Sequence, residues 1–381
     1  MIFELTNEQR KYLGLNPVEK NWEIVKLNNY YLYFDGDTIR KKIFSTEKLY
    51  SEMELDEKTS DNRTVLLPKT SKGKPKKLND TATRSFSSFG VYFSFLQSDV
   101  EIGNFTTNTT YHSERLVGGD NIETLKKWLE QWTGEATESD LKEIEAFKVA
   151  ERKHCKYKEG DFFAFKYDRR NYGFGRILID VAKRSKTDNL KENKNYGLMQ
   201  LMAKPLIVKL YHKISNTFDV DLEELSLTMA LPSQAVMDNQ FYYGQNFIIG
   251  HKPLAVSEYD MLISYSKSIK RDEENIVYLQ YGFIFKEIDN SKFNKYLKME
   301  NKNSYTGYDE NPFRNESVGA QLDTRKLAEC IHEKSNNPYW ENTSNSYVKD
   351  MRNPINIDIK REIFKAFGLD ADKTYEQNLI L

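Results

Sequence analysis

Cysteine is almost absent from this chain of 381 residues. Only Cys155 and Cys330 occur, far apart in the sequence. Two distant thiols build no disulfide framework, so a reducing, cytoplasmic setting is expected. No apolar run approaches the roughly 20 residues that span a bilayer, and no membrane partner is expected. The start, Met1 to Glu8, lacks a basic stretch followed by an apolar one, so no secretory signal is read. Histidine is scarce too, at five residues: His112, His154, His212, His251 and His332. None pairs at metal-ligand spacing. His332-Glu333 has no second His four residues after the first, and His154-Cys155 stands alone. A metal site needs three or four convergent ligands, so no metal and no cofactor is expected. No Gly-x-Ser-x-Gly elbow occurs, which removes the usual serine hydrolase signal. The net charge of −1 creates no global field that would select nucleic acid or an anionic membrane.

What is abundant is aromatic. The chain carries 24 Tyr and 22 Phe, enough for a sizeable core and favouring β structure. An α+β fold follows, predominantly antiparallel β domains with a connecting helix pair and a helical C-terminal region. Residues 1–118 read as a β-rich domain, with strands at Trp22–Leu27, Tyr30–Phe34, Thr38–Phe44, Val65–Pro68 and Gly90–Phe95. Asp35-Gly36-Asp37 marks a hairpin. Residues 119–154 read as a helical connector. Asp120 is a candidate cap for the first helix, whose Ile122, Leu125, Trp128, Leu129 and Trp132 share a face; Gly134 ends it. Thr137 caps the second, with Leu141, Ile144, Phe147 and Val149 on its apolar face. Residues 155–290 turn back to strands, clearest at Leu206–Ile214, Phe247–Ile249 and Ile276–Phe285. Residues 185–195 read as a polar, basic loop. Residues 291–381 read as a helical extension, with helices at Asp323–Glu333 and Lys360–Phe367, the latter ended by Gly368; residues 301–318 lack apolar periodicity and read as a loop.

The most informative stretch lies within residues 159–180. Gly160 and Asp161 suit a turn into an aromatic strand containing Phe163. A polar break follows, then Tyr172-Gly173-Phe174-Gly175-Arg176 and an aliphatic run. Two strand-like runs around a short polar segment predict a β-hairpin. Gly173 and Gly175 predict the close approach of another group. They are no dinucleotide fingerprint, because Leu178 stands where the third glycine belongs and the pair lies inside a strand pattern. This pattern resembles the opening hairpin of the immunity 26 family, bacterial proteins encoded beside polymorphic toxins, over roughly residues 155–290. The resemblance implies a protein that neutralises a cognate protein toxin by direct, stoichiometric binding rather than an enzyme. It implies a structural role for Gly160, Asp161, Phe163, Tyr172, Gly173, Gly175 and Arg176.

The acidic segment Asp219, Asp221, Glu223, Glu224 is the candidate toxin contact, because clustered carboxylates speed association with a basic groove. The same run also reads as a turn and a solvated helix start. Two basic runs, Lys69–Lys77 and Lys183–Lys186, are the basis for a nucleic-acid-binding defence or prophage protein. Both read more simply as solvated loops, since nucleic-acid binders show a clearly basic domain. Metal-assisted phosphotriester hydrolysis is a further alternative, carried by a label that some members of the resembled family bear. Such chemistry needs an activated water. The oligomeric state and the identity of the toxin have no sequence signal.

Overall fold

The computed structural model describes residues 3–67, 72–186, 204–268, 275–300, 307–341 and 349–381. The chain divides into two compact units. The first comprises Met1–Cys155 with the short segments Asp168–Arg170 and Tyr243–Gln245; the second holds the remainder. The α+β class holds. Strand-to-strand pairing within the sheets is antiparallel throughout the described residues.

In the first unit nine strands form one sheet. They are β1 (Glu23–Leu27), β2 (Tyr30–Asp35), β3 (Thr38–Ser45), β4 (Tyr50–Ser60), β5 (Val65–Leu67), β6 (Lys76–Lys77), β7 (Phe89–Leu96), β8 (Asp99–Asn104) and β9 (Thr109–Arg115). The order is β1-β2-β3-β4-β7-β8-β9, with β5 on β4 and β6 on β5. Short turns join these neighbours except β4 and β7, between which β5 and β6 intervene in the chain. The helices Ile122–Gly134 and Glu138–Lys148 lay apolar faces on the core that Tyr33, Phe93, Phe95 and Ile102 build. Trp128 stacks on Phe93 at 5.9 Å and on Trp132 at 4.9 Å. Asn121, not Asp120, caps the first helix: its side chain accepts from Thr124 N at 3.0 Å. Thr137 and Asp140 cap the second reciprocally. Val149 lies past that helix and is exposed.

One face of the first sheet carries an internal ion network. Register places Lys41 opposite Glu54, and Ile43 opposite Glu52. Glu52 is wholly buried between Lys41 Nζ at 2.5 Å, Arg10 Nε at 2.8 Å and the Tyr50 hydroxyl at 2.6 Å. Lys41 also donates to Glu54 at 2.8 Å and to the Asn16 carbonyl at 2.9 Å. Arg10, on the helix Asn7–Tyr12, reaches Glu4 at 2.9 Å.

The second unit is built on a five-stranded sheet of β10 (Asp161–Lys166), β11 (Tyr172–Asp180), β12 (Pro205–Ser215), β13 (Gln234–Met237) and β14 (Phe247–His251), ordered β13-β12-β11-β10-β14. The expected hairpin is β10–β11, paired from Phe162 opposite Arg176 to Lys166 opposite Tyr172. Successive residues point to opposite faces. Phe163, Phe165 and Ile177 face a core closed by Leu327, Cys330 and Tyr339. Phe162, Ala164 and Phe174 face Tyr211, Leu225, Val220 and Leu222. A three-stranded sheet, β15 (Ile263–Lys267), β16 (Ile276–Tyr281) and β17 (Ile284–Asp289), joins a further core with Leu178, Ile179, Phe313, Ile363 and Phe364. The run expected as one strand, Ile276–Phe285, is thus two: Gly282, at φ +57°, turns the chain back.

Beyond 290 the chain is less helical than its polarity suggests. The short strands β18 (Lys298–Glu300) and β19 (Tyr308–Glu310) pair, placing a strand inside the expected loop 301–318, of which residues 301–306 lie outside the described residues. The first C-terminal helix starts at Leu327 rather than Asp323, because Asp323 N bonds the Gln234 side chain at 2.7 Å. The second starts earlier than expected, at Ile357, and runs to Ala366. Segment 319 extends the sheet edge: Met237 N donates to Gly319 O at 2.9 Å and Gly319 N to Ala235 O at 2.8 Å. Both cysteines are free thiols. Among the described residues no helix is long and apolar enough to cross a membrane.

Candidate functional site

The hairpin residues singled out by sequence meet on the five-stranded sheet, where they act as a brace. Gly160 has φ +86°, a conformation that L side chains rarely adopt, and a Cβ there would stand 2.4 Å from the Lys252 carbonyl. Its N–H donates to Ile177 O at 2.8 Å. Asp161 is buried; one carboxylate oxygen accepts from Lys158 N and the other faces His251 Nδ1, both at 2.8 Å. Turn and strand β14 are thereby tied together.

Gly173 and Gly175 lie beneath aromatic rings. A Cβ on Gly173 would meet the Phe165 ring at 2.3 Å; one on Gly175 would meet the Phe163 ring at 2.3 Å and the Lys209 carbonyl at 2.6 Å. The ring above Gly175 could shift, but the backbone oxygen of a paired strand is held by the sheet. Gly175→Val is therefore expected to destabilise the protein by about 1–3 kcal/mol, the range for overpacking a filled core. Thermal unfolding checks it; a variant that melts like the parent would refute the close-packing argument.

Arg176 is fully buried, an extreme position for a guanidinium. It pairs with Glu258, donates to the carbonyls of Lys252 at 2.6 Å and Pro253 at 3.2 Å, and lies over the Phe162 ring at 4.5 Å. Burial pushes the neighbouring Tyr211 hydroxyl up to about 12 and draws the Lys209 ammonium below the usual lysine range. Arg176 thus fixes the segment 252–258 against the sheet.

The acidic segment crosses the same face of the sheet as Arg176. Val220, Leu222 and Leu225 pack into the cluster around Phe162, and the four carboxylates remain exposed. Asp221 caps the helix Leu222–Leu227, accepting from Glu223 N at 2.7 Å and Glu224 N at 3.0 Å. Glu223 pairs with Lys252. Asp219 and Glu224 line a surface depression of about 250 Å³ with Lys213, Ser215 and Thr228. Sequence reasoning missed the exposed apolar residues that flank the segment in the chain: Phe218, Leu227 and Met229 are 50%, 88% and 50% exposed. Patterning alone assigns such residues to a core.

The other expected features separate. Residues 69–71 of the first basic run lie outside the described residues, while Lys76 and Lys77 form strand β6. In the second basic run Arg184 is bound to Glu159, and residues 187–195 of the expected loop lie outside the described residues. Among the described residues no group of three or more His, Cys, Asp or Glu is placed to hold a metal ion.

No curated protein and no solved structure matches this chain. The family model of immunity protein 26 matches residues 158–276, the segment that contains the Gly160–Arg176 brace and the acidic face, so this segment of the chain is an immunity protein 26 domain.

Proposed function

We propose that the protein neutralises a cognate bacterial toxin by direct, stoichiometric binding, without turnover. The immunity protein 26 domain is the observation that carries this reading. Inhibition of this kind needs a rigid surface with a few well-placed anchors, not a catalytic centre. The brace around Arg176 supplies rigidity, and the acidic segment Asp219, Asp221, Glu223, Glu224 is the candidate contact with a basic toxin groove. The reading is tested by co-expression with the toxin encoded beside this chain. Growth should be rescued, and calorimetry of the purified pair should saturate near one binding unit per toxin. Cells that die equally fast with and without the protein, together with no recovered complex, would exclude it.

A further inference from the structure

We propose that Arg176, Lys209 and Tyr211 form a seat for one small oxyanion, a phosphate or a carboxylate, on the face of the five-stranded sheet that the segment 252–258 crosses. The inference goes beyond the immunity reading and does not depend on it.

Strand register brings the three side chains together. Arg176 on β11 stands opposite Lys209 on β12. Tyr211 lies two residues further along β12, on the same face. The Arg176 guanidinium lies over the Phe162 ring at 4.5 Å, and the Phe162 and Tyr211 rings stack at 6.1 Å. The Lys209 ammonium stands 5.3 Å from the centre of the Tyr211 ring. Arg176 and Tyr211 are fully buried; Lys209 is partly exposed, so the cluster reaches solvent through it.

Donors outnumber acceptors in this cluster. The terminal nitrogens of Arg176 hold Glu258 and the carbonyls of Lys252 and Pro253, but its buried Nε has no hydrogen-bond partner. The buried Tyr211 hydroxyl has none either. Lys209 has no ion-pair partner among the described residues. Glu258 is already committed, because its second oxygen accepts from Ala255 N at 2.8 Å. Two cations directly opposite on neighbouring strands repel, and native folds leave few buried donors without an acceptor. An oxyanion supplies both a negative charge and several acceptor lone pairs, for charge-assisted hydrogen bonds from all three groups. Water brings the acceptors without the charge, and a cation or an apolar group brings neither. Burial outweighs Glu258 and, together with Arg176, draws the Lys209 ammonium below the usual lysine range. An anion beside it would push that titration back up.

The test uses the full chain with inorganic phosphate and, separately, with acetate, each against chloride at equal ionic strength. The oxyanion should raise the melting temperature of the parent in proportion to its occupancy of the seat. Tyr211→Phe, which deletes only the unpartnered hydroxyl, and Lys209→Met should each weaken the apparent affinity about 10-fold or more, the size of one hydrogen bond to a charged group. The two variants are independent, so either one decides should the other fail to fold. In carbon NMR of lysine-labelled protein, the signal that Lys209→Met removes should titrate at higher pH with the oxyanion bound. A response to phosphate alone assigns a phosphoryl ligand, and a response to acetate alone a carboxylate. A parent whose melt and Lys209 titration are indifferent to both anions overturns the seat. So does an equal response of parent and folded variants, which would mean an adventitious ion only.

Discussion

Expressed alone, residues 158–276 are expected to give no cooperative melt, although they span the whole matched domain. The five-stranded sheet needs cover on both faces, and one cover is built after residue 276. Phe163, Phe165 and Ile177 lose Leu327, Cys330 and Tyr339 in such a fragment. Leu178, Ile179 and Ile207 lose Val277, Leu279, Phe313, Ile363 and Phe364. Strand β15 loses its partner β16, and the edge of β13 loses the bonds to Gly319. Burying one large apolar side chain is worth about 1.5–3 kcal/mol, so losing half a dozen removes on the order of 10 kcal/mol, the whole stability of an ordinary domain. Arg352 adds a second tie, since it is bound to Asp350 at 2.7 Å and donates to the Ser233 carbonyl at 3.0 Å. The fragment 156–381 keeps all of these contacts and should melt cooperatively. Circular dichroism with heating separates the cases; a sharp transition in 158–276 would show that the later residues are an addition and not part of the core.

The hairpin was legible because its signals are local. Alternation in Asp161–Lys166 sends Phe162 and Phe163 to opposite faces, and Gly160-Asp161 marks the turn before it. Asp35-Gly36-Asp37 marked the β2–β3 turn in the same way. Asp219–Glu224 was visible as a charge run, but the division of labour within it was not. Asp221 caps locally, but the pairing of Glu223 depends on Lys252, 29 residues away. The exposure of Leu227 ran against its own chemistry, so no pattern could reveal it. For Arg176 the resemblance implied a structural role, but its partner was not legible, because Glu258 lies 82 residues on. The C-terminal cover was invisible because polar sequence conceals sparse apolar anchors such as Ile363 and Phe364.

Glu52 is the extreme case of a residue whose role only the fold discloses, and Glu52→Ala should be the most damaging single substitution in the first unit. No strand is expected from sequence at Tyr50-Ser51-Glu52-Met53-Glu54, whose alternating carboxylates mark one face as polar. In the fold that face is the core, and Glu52 neutralises both Lys41 and Arg10. Burial opposes its ionisation, but Lys41 and Arg10 outweigh burial and hold the carboxyl below its usual range. Glu54 shows the reverse balance: burial dominates over Lys41 and holds it above that range. Removing Glu52 leaves two buried cations sharing Glu54 and Glu4, and breaking such a pair costs about 3–5 kcal/mol. At about 2–4 °C per kcal/mol for a unit of this size, the melting temperature should fall by roughly 6–20 °C. The two carboxyls also act in separate pH windows. Glu52, depressed in the folded state, contributes stability above the ordinary value of 4.5 that is lost as pH falls through its lowered folded value. Glu54, raised, acts with the opposite sign, its contribution being lost as pH rises above 4.5 through its folded value. Glu52→Ala should therefore weaken the loss of stability below pH 4.5 as well as lower the stability at neutral pH. Denaturant melts of parent and variant from pH 3 to 8 measure both effects. A variant as stable as the parent at pH 7, with an unchanged acid limb, would show that the network holds nothing together.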